Sequence, residues 1–292
     1  MLKRRREEGG GKRLGLDSNR LDQESETQGV FDRLLSRFTF TEVAGLLESK
    51  IGCPPQFEVR GPDGQTLQTD VHDLHMAYFA LTFCQHASER WMTPVTIVEI
   101  GGGYGAAVAK IAMLVPNARF VLVDLPPAGW LQSYYLDAVF PGAVRVLPLD
   151  SHLESSDLTH RFTICEPGTF LRGSIRISGA INARSFGEMD KSVVRRYFDY
   201  IHENMILDGI FMNVNRHQKL GFRFVDYPYD DKWKVIKSAP AFNQESNVWE
   251  LIVQRTDKPD AGFQSWRDDV PIPERQSWVR MIYLGIANLR RQ

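Results

Sequence analysis

The segment that most constrains the fold is VTIVEIGGGYGAAVAKI, which begins at Val95. Its first six residues are mostly apolar and β-branched, as in a strand that is buried on both faces. Three glycines at alternate positions follow, and an alanine-rich run then has the composition of a helix. Because glycine permits a tight turn and a close approach of the main chain, the segment predicts the strand, loop and helix of an α/β protein.

Strand-like and helical segments alternate beyond this point. Strands are predicted at 96–100, 119–123, 177–182 and 209–214, with one more at 144–147, at 162–165 or at both. The clearest helix covers about 186–205. Two strand-like runs, 233–237 and 248–253, follow without a helix between them and predict a hairpin. The pattern predicts a mostly parallel sheet with helices on both sides, which ends in an antiparallel hairpin.

The chain divides into four parts. Residues 1–28 are polar and begin with a basic run, which predicts a disordered leader because no apolar segment of a signal peptide follows. Residues 29–92 have helical spacing, with Asp70 placed to cap a helix, and we expect them to cover the substrate. Residues 93–257 form the core, and 258–292 form a tail whose final helix would either cover the core or pair with a second subunit as a homodimer.

Composition argues against several classes of function. Thirty-five Lys and Arg against 36 Asp and Glu give a net charge of −1, which provides no field to attract nucleic acid. No apolar run approaches the roughly 18 residues of a membrane span. The three cysteines show no disulfide or zinc pattern, and His72, Asp73 and His75 lack a convincing further ligand for a metal. We expect a cytoplasmic protein with a small-molecule partner and neither nucleic acid, membrane nor metal.

Two acidic residues decide which ligand the glycine loop predicts. Glu99 precedes Gly101 by two positions, and Asp124 ends the next strand, 23 residues beyond Gly101, where a carboxylate can accept both hydroxyls of a ribose. The GxGxG spacing differs from the GxGxxG of dinucleotide sites, whose helix start faces a pyrophosphate. The predicted cofactor is S-adenosylmethionine. A nicotinamide or flavin cofactor, and a glycine turn used only for packing, are the alternatives.

Three segments together resemble a known family: VEIGGGYG, VLVDLPPAGWLQSYYL, and INARSFGEM followed by RRYFDYIHENM. They are similar to the sugar O-methyltransferases of natural-product and surface-glycan biosynthesis, over about residues 95–214. The resemblance implies a class I methyltransferase fold, Rossmann-like, with a seven-stranded sheet whose last strand is antiparallel.

The resemblance also implies roles for particular residues. The methionine end of the cofactor would lie on Glu99, Gly101, Gly102, Gly103 and Gly105. Asp124 and Leu125 would hold the ribose, and Asn182 and Ser185 would lie beside the methyl group. Asp150 and Glu166 are both eligible to contact adenine, so this position stays open.

Transfer of a methyl group to a hydroxyl is an in-line displacement that also requires loss of the acceptor proton, for which a positioned base contributes about 10²- to 10⁴-fold. His217, after the fifth strand, and Glu188, after the fourth, are the candidate catalytic residues. An exposed loop histidine is the alternative for His217, and a capping box with Ser185 is the alternative for Glu188.

Tyr227 and Asp230 belong to an aromatic and acidic loop whose composition suits binding of a sugar, although a turn at Pro228 also explains it. The predicted function is therefore S-adenosylmethionine-dependent O-methylation of a hydroxyl of a sugar or glycosylated natural product. An NAD(P)-dependent oxidoreductase and a non-catalytic binding protein with the methyltransferase fold are the alternatives. Phenolic, carboxylate and amine acceptors also stay open, because a fold does not determine a substrate.

Overall fold

A computed structural model describes residues 10–47, 51–52, 54–87, 95–219, 222–242 and 247–271. The first nine residues of the predicted leader and the final helix predicted within the tail lie outside these ranges. Among the residues that are described, no helix combines the length and the apolar character needed to cross a membrane.

The N-terminal region contains three helices and a small hairpin: α1 Gly10–Leu35, α2 Phe40–Ala44, β1 Phe57–Arg60, β2 Thr66–Thr69 and α3 Val71–His86. Asp70 caps α3 as predicted, because its side chain accepts a hydrogen bond of 2.9 Å from the backbone N–H of Asp73. Helix α1 corrects the prediction of a disordered leader for residues 10–28. Val30, Phe31 and Leu34 are fully buried near its C-terminal end, and this apolar face attaches the helix to the core.

The elements of the core follow in the predicted alternation. They are β3 Val95–Ile100, α4 Ala106–Leu114, β4 Ala118–Val123, α5 Pro126–Val139, β5 Val144–Val146, β6 Phe162–Cys165, α6 Pro167–Leu171, β7 Ile177–Ala183, α7 Lys191–Asn204, β8 Met205–Arg216, β9 Gln218–Lys219, β10 Phe222–Arg223, β11 Trp233–Pro240, β12 Val248–Arg255 and α8 Trp266–Asp269. The helix predicted at 186–205 is split, since a 3₁₀ turn, Phe186–Glu188, precedes α7.

The main sheet has the strand order β11-β12-β8-β7-β3-β4-β6-β5. All neighbours are parallel except β12, which runs antiparallel to both β8 and β11. The predicted hairpin and the antiparallel last strand are thus confirmed. Both candidate segments for the third strand form strands, and β6 lies between β4 and β5, so the sheet has eight strands instead of seven.

Side chains alternate between two separate cores along each central strand. Ile97 and Phe120 belong to the core on the side of α3, α4 and α5, which we call the α4 face. Val98 and Val121 belong to the core on the side of α7, which we call the α7 face. This period of two is the geometry of a pleated strand, and it decides which side of the sheet each later side chain can reach.

Candidate functional site

The glycine loop follows β3 at the carboxyl edge of the parallel strands. Gly101, Gly103 and Gly105 have φ angles of 66°, 62° and 89°, which L-residues with a side chain rarely adopt. A Cβ atom on Gly101 would lie 2.2 Å from Ser185 Oγ, and one on Gly102 would lie 2.0 Å from Glu99 Oε2. Gly103 has open space at its Cβ position. The loop therefore needs glycine both for its conformation and for its contacts with Ser185 and Glu99.

Glu99 is the buried carboxylate of the site. Glu99 is only 3% exposed, and among the described residues its Oε2 atom has no hydrogen-bond partner. Burial, and secondly the negative charge of Asp124, raise the pKa of Glu99 to about 8. At neutral pH the carboxyl group of the free protein is mostly protonated. A positively charged group placed beside Glu99 would favour its charged form and relieve the cost of its burial.

Asp124 lies at the tip of the neighbouring strand β4, as the sequence predicted. Its Oδ1 accepts a hydrogen bond of 2.8 Å from the N–H of Leu125, and its Oδ2 accepts one of 3.2 Å from Gln132 Nε2. Burial raises the pKa of Asp124, while hydrogen bonds from the N–H groups of Leu125 and Gly103 act against this rise. The carboxylate is thus fixed beside the glycine loop, and each oxygen retains capacity for another donor.

A cavity of about 270 Å³ opens at this edge of the sheet. We call it the cofactor cavity. The glycine loop with Glu99 and Tyr104 forms one wall; His72, His75, Met76 and Phe79 of α3 form the opposite wall; and Ala183, Arg184, Val214 and Phe242 close it. Ligands in open α/β sheets bind in the crevice at the carboxyl ends of the strands, where this cavity lies.

Asn182 and Ser185 support the loop from beneath. The Asn182 side chain is fully buried, and its Nδ2 donates a hydrogen bond of 2.8 Å to the carbonyl of Ile100. Ser185 Oγ donates a second hydrogen bond, of 3.1 Å, to the same carbonyl. Asn182 Oδ1 accepts a hydrogen bond of 2.8 Å from Asn215 Nδ2. The same Nδ2 donates a hydrogen bond of 2.6 Å to Asn213 Oδ1. The role expected of Asn182 beside the methyl group stays a prediction, and the structure shows a supporting role. Its amide is occupied by protein partners and positions the residue before Gly101.

The two predicted bases do not line the cofactor cavity. His217 lines a different cavity on the α7 face with Arg223, Asp226 and Arg267, and burial lowers its pKa. Glu188 is exposed and forms an ion pair with Lys219. The alternative capping box is wrong as well, because Ser185 makes no cap hydrogen bond.

The two predicted sugar-binding residues lie on the α7 face, Tyr227 in its interior and Asp230 partly exposed. Tyr227 is 1% exposed, and its ring stacks on Phe198 with centroids 5.7 Å apart and planes 12° apart. Asp230 accepts a hydrogen bond of 2.6 Å from Arg255 Nη1. Burial acts to raise the pKa of Asp230, but the hydrogen bond from Arg255 and the other partners of the carboxylate lower it below its usual value. Tyr227 is thus a packing residue, which corrects its assignment to an open substrate loop, and Asp230, with a side chain 34% exposed, is an ion-pair partner of Arg255.

Of the two residues eligible to contact adenine, Glu166 lies closer to the expected position. It directly follows β6, the neighbour of β4, so its backbone and that of Asp124 lie at adjacent strand tips. Asp150 has a 94% exposed side chain. Arg172 approaches both carboxylates, at 3.5 Å from Glu166 and 3.9 Å from Asp150.

Sequence reasoning assigned no cavity role to Tyr104 or Phe242 and considered His72 and His75 only for a metal. The spacing of the two histidines did place them on one face of α3. Asp73 between them pairs with Lys110 at 2.7 Å instead of contributing to a ligand set. In the described ranges no group of three or more His, Cys, Asp or Glu side chains is arranged to hold a metal.

The strand order, the antiparallel hairpin and the glycine loop between Glu99 and Asp124 define a class I methyltransferase fold. Solved structures with a similar fold include the mitomycin 7-O-methyltransferase MmcR, at 16% identity over 63% of this chain and 55% of that chain, with a TM-score of 0.42. The pyocyanin biosynthetic protein PhzM has 16% identity over 63% and 57% of the two chains and a TM-score of 0.39. The glycopeptide N-methyltransferase MtfA, complexed with sinefungin, has 11% identity over 62% and 86% and a TM-score of 0.41.

This chain therefore spans little more than half the length of MmcR and PhzM. No protein-family model matches the sequence, and no curated protein matches it either. With TM-scores below 0.5 and identities of 11–16%, these likenesses determine neither the activity nor the substrate of this chain.

Proposed function

We propose that the protein is an S-adenosylmethionine-dependent O-methyltransferase that acts on a hydroxyl of a sugar or glycosylated natural product. The observation that carries the proposal is the pair of carboxylates beside the glycine loop, of which Glu99 is buried with an unpartnered oxygen. S-adenosylmethionine supplies a methyl group on a positively charged sulfur and carries an ammonium group and a ribose. Two carboxylates suit such a cationic nucleoside.

Glu99 disfavours a dinucleotide. A pyrophosphate at the start of α4 would introduce negative charge next to Glu99, whose pKa is already raised by burial and secondly by the charge of Asp124. Asp124 does not discriminate between the cofactors, because dinucleotide sites also hold the ribose with an acidic residue at this place. Sites that bind pyrophosphate instead offer free amide groups and no buried carboxylate at the start of the helix. This electrostatic argument favours the methyl donor over a nicotinamide or flavin cofactor.

The residues present fit the parts of the cofactor. Glu99 and the amides of the loop would hold the amino-acid end, Asp124 would accept the ribose hydroxyls, and Glu166 would accept from the adenine amino group. Leu125, whose side chain is 64% exposed beside Asp124, would cover an apolar face of the nucleoside.

We assign the removal of the acceptor proton to His72 in place of His217 and Glu188. The imidazole of His72 lines the cofactor cavity from α3, with its ring centroid 5.5 Å from that of Tyr104 in the glycine loop. Imidazole is a common general base in proton transfer from a hydroxyl. His72→Asn should lower turnover by about 10²- to 10⁴-fold while S-adenosylhomocysteine still binds. His75→Asn, one turn further along the same wall, is the matched control and should have the smaller effect; equal turnover in the wild type and His72→Asn would remove His72 from this role.

Calorimetry with S-adenosylhomocysteine and with NADH tests the cofactor directly. We expect the first to bind and the second not to bind. Asp124→Ala should weaken binding of S-adenosylhomocysteine by about 1–3 kcal/mol because hydrogen bonds to a charged group are lost. Asp257→Ala, an exposed aspartate just beyond β12, is the control and should leave the affinity unchanged. Binding of NADH, or an unchanged affinity in Asp124→Ala, would contradict the assignment.

The reaction itself is tested by mass spectrometry. Incubation with S-adenosylmethionine and a panel of glycosylated metabolites should increase the mass of an acceptor by one methylene group. Binding of the cofactor product without transfer to any acceptor would favour a non-catalytic binding protein.

A further inference from the structure

A second cavity, of about 370 Å³, adjoins the cofactor cavity. We call it the aromatic cavity. Tyr104, Leu131, Tyr134 and Tyr135 form its apolar wall, and Asp70 and Asp73 lie on the other side. Tyr104 and His72 line both cavities. Since Tyr104 lies within the glycine loop, a molecule in the aromatic cavity would contact the segment that is proposed to hold the methyl donor.

The apolar wall is open to solvent. Leu131 and Tyr134 lie three residues apart on α5 and are 53% and 73% exposed, and Trp130 beside them is 71% exposed. Tyr134 and Trp130 have the highest exposed fractions among the large apolar residues that the structure describes. A contiguous exposed apolar surface of this kind is typical of a binding site, because a ligand that covers it removes apolar area from water.

The acidic residues of the cavity already have partners within the protein. Asp73 forms an ion pair of 2.7 Å with Lys110, and Asp70 accepts the N–H of Asp73 at 2.9 Å as the cap of α3. The charge of Asp73 is therefore compensated by Lys110, whereas the N–H that Asp70 accepts is neutral and leaves the charge of Asp70 in place. The rest of the lining combines rings with other side chains. Tyr104 and Tyr135 meet edge to face with centroids 4.8 Å apart, Tyr134 and His72 add two further rings, and the other lining residues are Ile51, Gly52, Pro54, Gln56 and Leu131. Such a surface favours a flat apolar ligand.

We infer that the aromatic cavity binds the aglycone of a glycosylated acceptor, a flat apolar ring system, while a hydroxyl of the attached sugar reaches the cofactor cavity beside His72. The inference rests on the proposed function and specifies its substrate class. At about 370 Å³ the aromatic cavity lies within the range of about 300–1,000 Å³ typical of small-molecule sites. Free sugars, which lack the ring system, should accordingly be poor acceptors.

Two other occupants fit the observations less well. An adenine held beside Asp124 and Glu166 would lie at the tips of β4 and β6. Asp124, Leu125 and Glu166 line neither the aromatic cavity nor the cofactor cavity, and the titration of Tyr134→Ala below tests this alternative. A second copy of the chain would cover a broad surface, whereas the apolar wall forms one side of a concave space with polar residues on the other side.

The test uses the full chain saturated with S-adenosylhomocysteine, titrated in a calorimeter with a 4-nitrophenyl hexoside and with the matching methyl hexoside. The aryl glycoside should bind at least about tenfold more tightly. Tyr134→Ala should weaken its binding about five- to tenfold, as expected for loss of an aromatic contact. The affinity for S-adenosylhomocysteine and the urea midpoint should not change, because Tyr134 is exposed. Leu207→Ala is the matched control, because Leu207 is 59% exposed. It lies near the start of β8, at the amino ends of the parallel strands and away from the cavities at their carboxyl ends.

Three results would overturn the inference. Equal binding of the two glycosides would show that the ring is not recognised. A loss of affinity for S-adenosylhomocysteine in Tyr134→Ala would place the adenine in the aromatic cavity. Dissociation of a dimer by Tyr134→Ala, seen in sedimentation, would show that a second copy covers the wall. If S-adenosylhomocysteine binds and the aryl preference is absent, only this inference fails; if S-adenosylhomocysteine does not bind, the proposed function fails first.

Discussion

Aromatic side chains form packed cores on both faces of the sheet, and on the α4 face some of them also border open cavities. On the α7 face, Phe198, Tyr227 and Trp233 are at most 1% exposed, and their rings pack with one another and with Phe211. On the α4 face, Tyr104 and Tyr134 border two adjoining cavities. Aromatic composition is therefore common to both faces, and exposure toward a cavity is what distinguishes a binding surface from a packed core.

Ionisable groups show the same contrast. Asp230 on the α7 face is compensated by Arg255, and the pair needs no ligand. Glu99 at the cofactor cavity has no compensating cation among its described contacts and carries a raised pKa. A ligand gains most where the protein has left a buried group uncompensated, which supports our proposal of a binding site at the cavity of the α4 face.

The largest expected effect separates packing from binding. Tyr227→Ala should lower the free energy of unfolding by about 3–5 kcal/mol, because it empties a large buried volume. Tyr134→Ala on the other face should change it by less than about 0.5 kcal/mol. Urea denaturation measures both. A stable Tyr227→Ala protein with a raised KM for the acceptor would restore the substrate role that the sequence suggested for Tyr227.

The next effect concerns the contact beneath the glycine loop. Gly142, in a turn, and Gly101 both have positive φ angles, of 72° and 66°, but only Gly101 would bring a Cβ atom against Ser185. Gly142→Ala should cost about 1–2 kcal/mol for the left-handed conformation alone. Gly101→Ala should cost about 1–3 kcal/mol more and should abolish binding of S-adenosylhomocysteine. Equal losses of stability would show that the contact with Ser185 can relax.

The third effect tests the buried asparagines. Asn215→Leu removes the amide that donates to Asn182 Oδ1 and Asn213 Oδ1, and Asn182 Oδ1 keeps the longer hydrogen bond of 3.3 Å from the N–H of Phe186. The substitution should cost about 1–3 kcal/mol of stability and weaken cofactor binding by loosening Asn182. Asn204→Leu, which removes one hydrogen bond to Tyr200 O on α7, is the control. Loss of this hydrogen bond should leave the affinity for S-adenosylhomocysteine unchanged. If both variants bind it like the wild type, the asparagines serve stability alone.

The smallest effect is the dependence of stability on pH. The pKa of Glu99 is about 8 in the folded protein, against an ordinary value of 4.5. Between pH 4.5 and pH 8, the folded state therefore keeps a proton that the unfolded state has released. Its stabilising contribution is complete below about pH 4.5 and disappears as the pH rises through 8. The slope should approach roughly −1 kcal/mol per pH unit in the unliganded protein.

Glu99→Gln should flatten this slope, which urea denaturation at pH 6, 7 and 8 would show. Saturation with S-adenosylhomocysteine should flatten it too, because an ammonium group beside Glu99 favours the charged carboxylate. A slope that is the same in the wild type and in Glu99→Gln would mean that another group titrates.

Much of the core could be predicted because its signals are local. The observed strands of the main sheet cover the predicted ones apart from end residues, and Asp70 caps α3 as expected. Glu99 and Asp124 meet at one loop because both lie at the carboxyl ends of adjacent parallel strands. The ion pair of Glu188 with Lys219 could not be predicted, since 31 residues separate the partners and only the fold brings them together.

The sequence by itself determined the strands, the glycine loop and the two carboxylates, because period, backbone freedom and spacing are properties of neighbouring residues. The tertiary structure alone decided which side chains face the cavity. Val214 and His217 are three residues apart near the end of β8, yet Val214 lines the cofactor cavity and His217 a cavity on the α7 face. Successive residues of a strand point to opposite faces, and only the packed sheet determines which face holds the ligand.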